Sequence, residues 1–163
     1  MRFKIVSLIA VAGLVAACGT APTSETASTS STGGNTGAAM ASNIMPGSAE
    51  DLKVNVGDRV FFGFDQYNLT PEARYTLQQQ AAWMAENPGV NVLIEGHCDE
   101  RGTREYNLAL GERRANAAAD YLMTLGVSSS RVSTISYGKE RPEDPASNET
   151  AWAKNRRSVT VVK

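Results

Sequence analysis

The stretch "GTAPTSETASTSSTGGNTGAAMASNIMPGSA", residues 19–49, sets the tightest limit on what this chain can fold into. Ser, Thr, Gly and Ala dominate it, strongly apolar residues are nearly absent, and no period runs through it. Such a segment buries too little apolar surface to offset the entropy lost on ordering. If its backbone behaves like a Gly/Ser linker, it averages roughly 30 Å end to end and stretches to about 100 Å. Any core must come from the residues beyond it, roughly 51–163, enough for a single domain.

What precedes the linker is equally distinctive. "MRFKIVSLIAVAGLVAACGT" opens with Arg2 and Lys4, runs apolar from Ile5 to Val15, and places Ala16 and Ala17 before Cys18. That is the three-part composition of a secretory signal peptide, with an apolar run too short to span a membrane. Leu14-Val15-Ala16-Ala17-Cys18 resembles the bacterial lipobox, with Val15 where Leu is commoner. The expected organisation is a signal peptide over 1–17, a lipidated Cys18 opening a tether over 18–50, and a folded domain over 51–163. Gly19, where Asp would mark retention at the inner membrane, reads as an outer-membrane address. A secreted protein without lipid is the alternative. Loss of the leader removes Arg2 and Lys4, leaving fourteen basic against seventeen acidic side chains. A net charge of −3 before the termini, with no basic stripe, argues against nucleic-acid binding. With Cys18 lipidated, Cys98 has no partner and no intrachain disulfide is expected.

The folded part reads as α+β. Val54, Val56, Val60, Phe62 and Phe64 show period two over parts of "LKVNVGDRVFFGF", which predicts a strand there. In "NLTPEARYTLQQQAAWMAENPG", Thr70 caps a helix, Pro71 suits its first turn and Glu72 its positive end. Ala73, Leu77, Ala81 and Met84 form its inner face, and Pro88-Gly89 ends it. A short strand follows over Val90–Glu95. A long helix then runs from a Thr103 cap to about Leu125, with Leu110, Ala117 or Ala118, Tyr121 and Leu125 at helical spacing and Gly126 closing it. "SRVSTISYG" predicts a strand with Val132 and Ile135 in the core, "TAWAKN" a short helical turn, and "RRSVTVVK" a last strand. The strand–helix repetition predicts helices covering one face of a sheet.

"EGHCDERG", residues 95–102, invites a chemical reading. His97 is the only histidine, and as a strand neighbour of Cys98 it points to the opposite face, so a thiol–imidazole couple is disfavoured. One His, one Cys and contiguous acids are a poor zinc set, and the spacing of a calcium loop is absent. A third reading joins Asp99 to the following helix. Asn107, Leu110 and Arg114 lie near one side of it, at i, i+3 and i+7. Leu110 and the alanines turn that side toward the sheet, and Arg114 drawn inward needs a partner or an anionic ligand. A loop acid opposite it makes a bipolar site suited to a zwitterion. The plainer alternative has Glu105, Glu112 and Asp120 pairing with Arg113 or Arg114 along the helix.

"IEGHCDERGTREYNLALGERRANAAADYL", "RVSTISYGKERP", "AWAKNRRSVTV" and "VFFGFDQYNLTPEA" together resemble the OmpA-like peptidoglycan-binding domains, in particular the peptidoglycan-associated lipoproteins of the Tol–Pal envelope system. The likeness covers nearly the whole folded part, and the lipobox and tether fit it. It implies an OmpA-like α+β fold with helices packed against a small mixed sheet, and a noncovalent clamp on the peptidoglycan stem peptide at meso-diaminopimelate, with no catalysis and no cofactor. Asp99 matches the acid of the family's G-H-x-D motif. Asn107, Leu110, Arg114 and Ala115 match its N-x-x-L-x-x-x-R-A motif. The resemblance thus implies Asp99 and Arg114 as the pair holding the diamino acid's charged head. Phe64 and Asp65 line the pocket from the first strand-to-helix loop, Arg101, Thr103 and Arg104 flank it, and Arg156 and Arg157 match the terminal N-R-R. For Arg157 a structural salt bridge is an equal alternative, and Arg113 faces solvent beside Glu112. Implied partners are the stem peptide, the periplasmic β-propeller TolB with other Tol proteins, and the outer membrane through the anchor. Two rivals remain: an OmpA-like lipoprotein of another envelope apparatus, and a wall hydrolase, for which no nucleophile, metal set or acid pair is visible.

Overall fold

The computed structural model describes residues 44–163. The expected signal peptide, the lipid-bearing Cys18 and the tether up to residue 43 lie outside the described residues.

Four strands and four helices alternate in the order α1 (Ala49–Asp51), β1 (Arg59–Phe61), α2 (Pro71–Glu86), β2 (Val92–His97), α3 (Arg104–Thr124), β3 (Val132–Gly138), α4 (Glu149–Asn155) and β4 (Arg157–Val162). The strands form one mixed sheet ordered β1-β4-β2-β3, in which β4 is antiparallel to both neighbours and β2 is parallel to β3. The parallel pair follows from α3, which carries the chain back across the sheet between β2 and β3. Both long helices start as their sequences dictate. Thr70 Oγ1 accepts from the Ala73 amide and Thr103 Oγ1 from the Tyr106 amide. Helix α3 gives way at Leu125 to Gly126, whose φ of +96° suits glycine.

The core lies between α2, α3 and one face of the sheet. Leu52, Val60, Phe62, Leu77, Met84, Val92, Ile94, Ala115, Ala118 and Leu122 fill it. Where α3 crosses β2, a methyl group on Gly96 would run into the Gly111 carbonyl. Two glycines therefore let helix and strand backbones meet at a distance no larger residue allows. That contact presses the middle of α3, and Arg114 with it, against the end of β2.

Several expectations are corrected. Within "LKVNVGDRVFFGF" the strand is Arg59–Phe61, and the first valines do not belong to it, because Leu52–Val56 forms a π-helical turn that buries Leu52 and leaves Val54 exposed. Alternating valines fit that turn because only one residue in it needs to reach the core. Ile135 is 38% exposed rather than buried. It sits in register with Glu95, which pairs with Val159 and through it with Arg59, and this row lies on the sheet face opposite the helices. Leu125 is likewise exposed, since it caps α3 after its last helical turn. Strand β2 runs two residues beyond Glu95, with a register irregularity at Gly96/His97.

The ordered region also begins before residue 51. The Gly47 amide donates to Asp51 Oδ2, Ser48 Oγ accepts from the Asp51 amide, and Trp83 Nε1 donates to Asp51 Oδ2 at 2.8 Å. Asp51 thus ties the last residues of the expected tether to α2, and the bonds that its carboxyl accepts from Trp83, Asn55 and Gly47 hold its pKa below the usual range.

Candidate functional site

Three segments meet at the C-terminal end of β2. The β1–α2 loop brings Phe64 and Asp65, the loop after His97 brings Cys98, Asp99, Arg101 and Gly102, and α3 brings Tyr106, Asn107, Leu110 and Arg114. They enclose a cleft of about 170 Å³. Asn107 shapes it from below: its Nδ2 donates to the carbonyls of Arg101 (2.7 Å) and Thr103 (3.0 Å), folding the loop around Gly102, whose φ is +89°. Asp65 is a non-glycine residue held at φ +55°, and its carboxylate accepts from the Tyr106 hydroxyl across the cleft mouth.

Arg114 is 1% exposed. Its guanidinium donates to three backbone carbonyls: Nε to Gln66 (2.8 Å), Nη1 to His97 (2.9 Å) and Nη2 to Gly63 (3.1 Å), and it lies over the Phe62 ring. Burial draws its pKa downward, partly offset by Cys98 and Asp99. A guanidinium remains charged at neutral pH nonetheless. Three of its five N–H groups donate to these carbonyls, one N–H on each terminal nitrogen donates to no oxygen, and the side chain lines the cleft beside the Cys98 thiol.

Asp99 is almost as deeply set, but its partners are other arginines. Arg101 reaches it with Nη2 at 2.7 Å, Nε at 3.2 Å and its own backbone amide at 3.1 Å, and Arg156 Nη1 lies at 3.4 Å. Burial pushes the Asp99 carboxyl up, the Arg101 bonds pull it down, and the net displacement is downward. Glu149 touches the same two arginines, at 2.8 Å from Arg156 and 3.7 Å from Arg101, closing a ring of four alternating charges. The Arg101 guanidinium is clasped between the rings of Phe64 (4.1 Å) and Trp152 (4.2 Å). Asp65, by contrast, has no cationic partner within ion-pair distance among the described residues.

Cys98 is buried, its Sγ 3.3 Å from the Asn107 carbonyl, and burial pushes its pKa up to about 11. Burial thus favours the protonated thiol, the less nucleophilic form. No group of three or more His, Cys, Asp and Glu side chains among the described residues could hold a metal ion.

Of the residues expected at the site, the cleft gathers Phe64, Asp65, Asp99, Arg101, Asn107, Leu110 and Arg114. Thr103 instead spends its hydroxyl capping α3. Arg104 points into a neighbouring depression, with Glu140 at 3.2 Å. Arg157 is buried elsewhere, paired with Glu143 at 3.3 Å. The expected face-to-face Asp99 and Arg114 share a cleft without pairing, because Arg101 and Arg156 claim the acid while carbonyls claim Arg114. Sequence reasoning passed over Tyr106, although it precedes Leu110 by one helical turn, and gave Arg156 no specific role. The Glu149 and Trp152 contributions carry no local signal, since they depend on where α4 docks.

Comparison with known proteins gives a consistent picture. A model described as OmpA family matches residues 61–156. The peptidoglycan-associated lipoprotein of Agrobacterium fabrum is 50% identical over 129 residues, spanning 79% of this chain and 73% of that one. Its counterpart in Brucella melitensis is 53% identical over 117 residues, spanning 72% and 70%. The crystal structure of the peptidoglycan-associated lipoprotein from Burkholderia pseudomallei superposes with a TM-score of 0.64 at 42% identity, covering 65% of this chain and 90% of that one. The C-terminal domain of Helicobacter pylori MotB shares the fold at 19% identity with a TM-score of 0.61.

Proposed function

The chain belongs to the OmpA family and, within it, to the peptidoglycan-associated lipoproteins, and from that premise we propose that its cleft grips the stem peptide of peptidoglycan at meso-diaminopimelate. The protein is an outer-membrane lipoprotein of the Tol–Pal system that links that membrane to the cell wall from the periplasmic side, and it is not an enzyme.

The observation that carries the ligand reading is the unspent hydrogen bonding of Arg114 at the floor of a cleft walled by two carboxylates. Diaminopimelate ends in one carbon bearing an ammonium and a carboxylate. Arg114 receives the carboxylate through its two remaining N–H groups, and the acidic wall of Asp99, with Asp65 at the mouth, receives the ammonium. Phe64, Leu110 and Tyr106 flank the aliphatic part. Each charge-assisted bond contributes roughly 1.5–3 kcal/mol before the cost of desolvation. A lysine stem supplies only the ammonium.

Around this grip the rest of the chain acts as a mooring. Residues 1–17 direct export, Cys18 carries the lipid, the segment up to about residue 50 is the tether, and 51–163 holds the wall. Several acyl chains together anchor far more firmly than one. The tether then raises the local concentration of cleft and stem peptide for each other, turning a modest affinity into a mechanical link. TolB is the proposed periplasmic partner, in exchange with the wall during constriction. Saturating TolB lowers recovery of the protein on purified sacculi under this reading; undiminished recovery removes the exchange. For the cleft itself, sacculus pull-down of Arg114→Ala is compared with wild type at a temperature where both melt curves show native protein. Retained binding by the folded variant overturns the assignment.

A further inference from the structure

Asp99, the acid that receives the ammonium under this reading, already has cationic partners within the chain. Arg101 covers it with two side-chain nitrogens and a backbone amide, and the Arg101 side chain is 31% exposed where that of Asp99 is 6%. The guanidinium therefore stands between Asp99 and the solvent from which a ligand arrives. It is held there by the rings of Phe64 and Trp152, whose centroids lie 4.1 and 4.2 Å from its central carbon. A second carboxylate waits beside it, since Glu149 lies 3.7 Å from the other terminal nitrogen and is itself largely exposed.

We infer that Arg101 is a latch on the cleft, a built-in cation that the ligand's ammonium must displace from Asp99 and that favours ligands able to offer a carboxylate in return. This rests on the diaminopimelate reading and extends it to how the cleft chooses.

The consequences follow from counting partners. An amine alone exchanges a two-point guanidinium–carboxylate contact for one ammonium contact, and leaves Arg101 with only the exposed Glu149. Such a ligand is penalised because bidentate pairing and stacking are lost together. A side chain that carries a carboxylate on the same carbon gives the displaced guanidinium a new anion within the cleft, while Glu149 steadies its far side. The latch therefore discriminates against lysine by a cost on the wrong ligand as well as by a contact with the right one. Arg156 remains on Asp99 throughout, fixed by the Phe62 carbonyl and Glu149.

The test is calorimetric titration of the full chain in detergent with two synthetic stem peptides that differ only in meso-diaminopimelate or lysine. The latch predicts that Arg101→Gln binds the lysine peptide about fivefold or more tighter than wild type, while the preference for diaminopimelate shrinks by roughly tenfold. A role as a simple carboxylate contact predicts weaker diaminopimelate binding with the lysine affinity unchanged, and that result overturns the latch. Should Arg101→Gln fail to fold, Trp152→Leu decides. It keeps the charge but loosens the clasp, and must raise lysine-peptide affinity in the same direction; no rise overturns the inference. If wild type binds neither peptide, the diaminopimelate reading fails and takes the latch with it.

Discussion

Arg114 and Arg157 are two buried arginines on opposite sides of the same sheet, and both have pKa values drawn down primarily by burial. Arg114 is held by three carbonyls, none of them charged, and faces a cleft with N–H groups to spare. Arg157 is closed in by Glu143, the Asn155 and Arg141 carbonyls, and a neighbouring His97 whose ring nitrogens make no hydrogen bond. Arg157 is neutralised by a protein carboxylate, whereas Arg114 is positioned by carbonyls that leave its charge unpaired, and the proposed ligand role of Arg114 rests on that difference. Burial is common to both; the partners differ.

The sharpest way to break that comparison is to remove each arginine in turn. Arg114→Ala should lower sacculus binding by about 100-fold, roughly 3 kcal/mol, measured by sedimentation with purified wall. Arg157→Ala should leave binding of the folded protein within about twofold but cost roughly 2–4 kcal/mol in urea unfolding, because Glu143 and the facing carbonyls lose their cation. If Arg157→Ala loses binding without losing stability, the division of roles is wrong.

A smaller effect tests the surroundings of Arg157. Burial and Arg157 lower the His97 pKa from 6.5 to about 4. The unfolded chain takes up a proton below about 6.5, whereas the folded imidazole stays neutral until about 4. Stability is therefore complete above that window and falls as pH drops through it, by about 1–2 kcal/mol between pH 7 and pH 5. In His97→Gln this component of the slope should vanish, as followed by urea midpoints at the two pH values. On the cleft side, Asp65→Asn removes an acid that has no cation of its own. It should weaken wall binding by about five- to tenfold, roughly 1–1.4 kcal/mol, with the melting temperature nearly unchanged. The smallest change is expected from Arg104→Ala, whose exposed pair with Glu140 is worth no more than about 0.5 kcal/mol. Its binding curve should overlay that of wild type, and a clear loss would extend the site toward the neighbouring depression.

The two long helices and three of the four strands were legible because their signals are local: a Thr cap, a repeated apolar face, a glycine stop. The extent of the first strand was not legible because alternating valines also suit a single turn that buries one leucine, which leaves only Arg59–Phe61 as strand. Ile135 was misjudged because a strand's two faces look alike until the helices choose one. At the site, motif and helix spacing singled out Asp99 and Arg114, which the fold brings to one cleft. Thr103 and Arg104 were named from the loop and Arg157 from the terminal N-R-R; Thr103 caps α3, Arg104 meets Glu140, and Arg157 makes the salt bridge that was its equal alternative.

The sequence by itself determined that one α+β domain follows a low-complexity segment, and that an acid after β2 and an arginine in α3 flank the same region. Those features depend on composition, caps and spacing within single segments. Only the tertiary structure decided which charge meets which. Arg101 and Arg156 claim Asp99, and Arg114 rests on carbonyls from the β1–α2 loop and β2. Such pairings arise where segments far apart in the chain converge, as α4 does when it brings Trp152 and Glu149 to Arg101. The few ångströms that decide them are set by how the helices seat on the sheet.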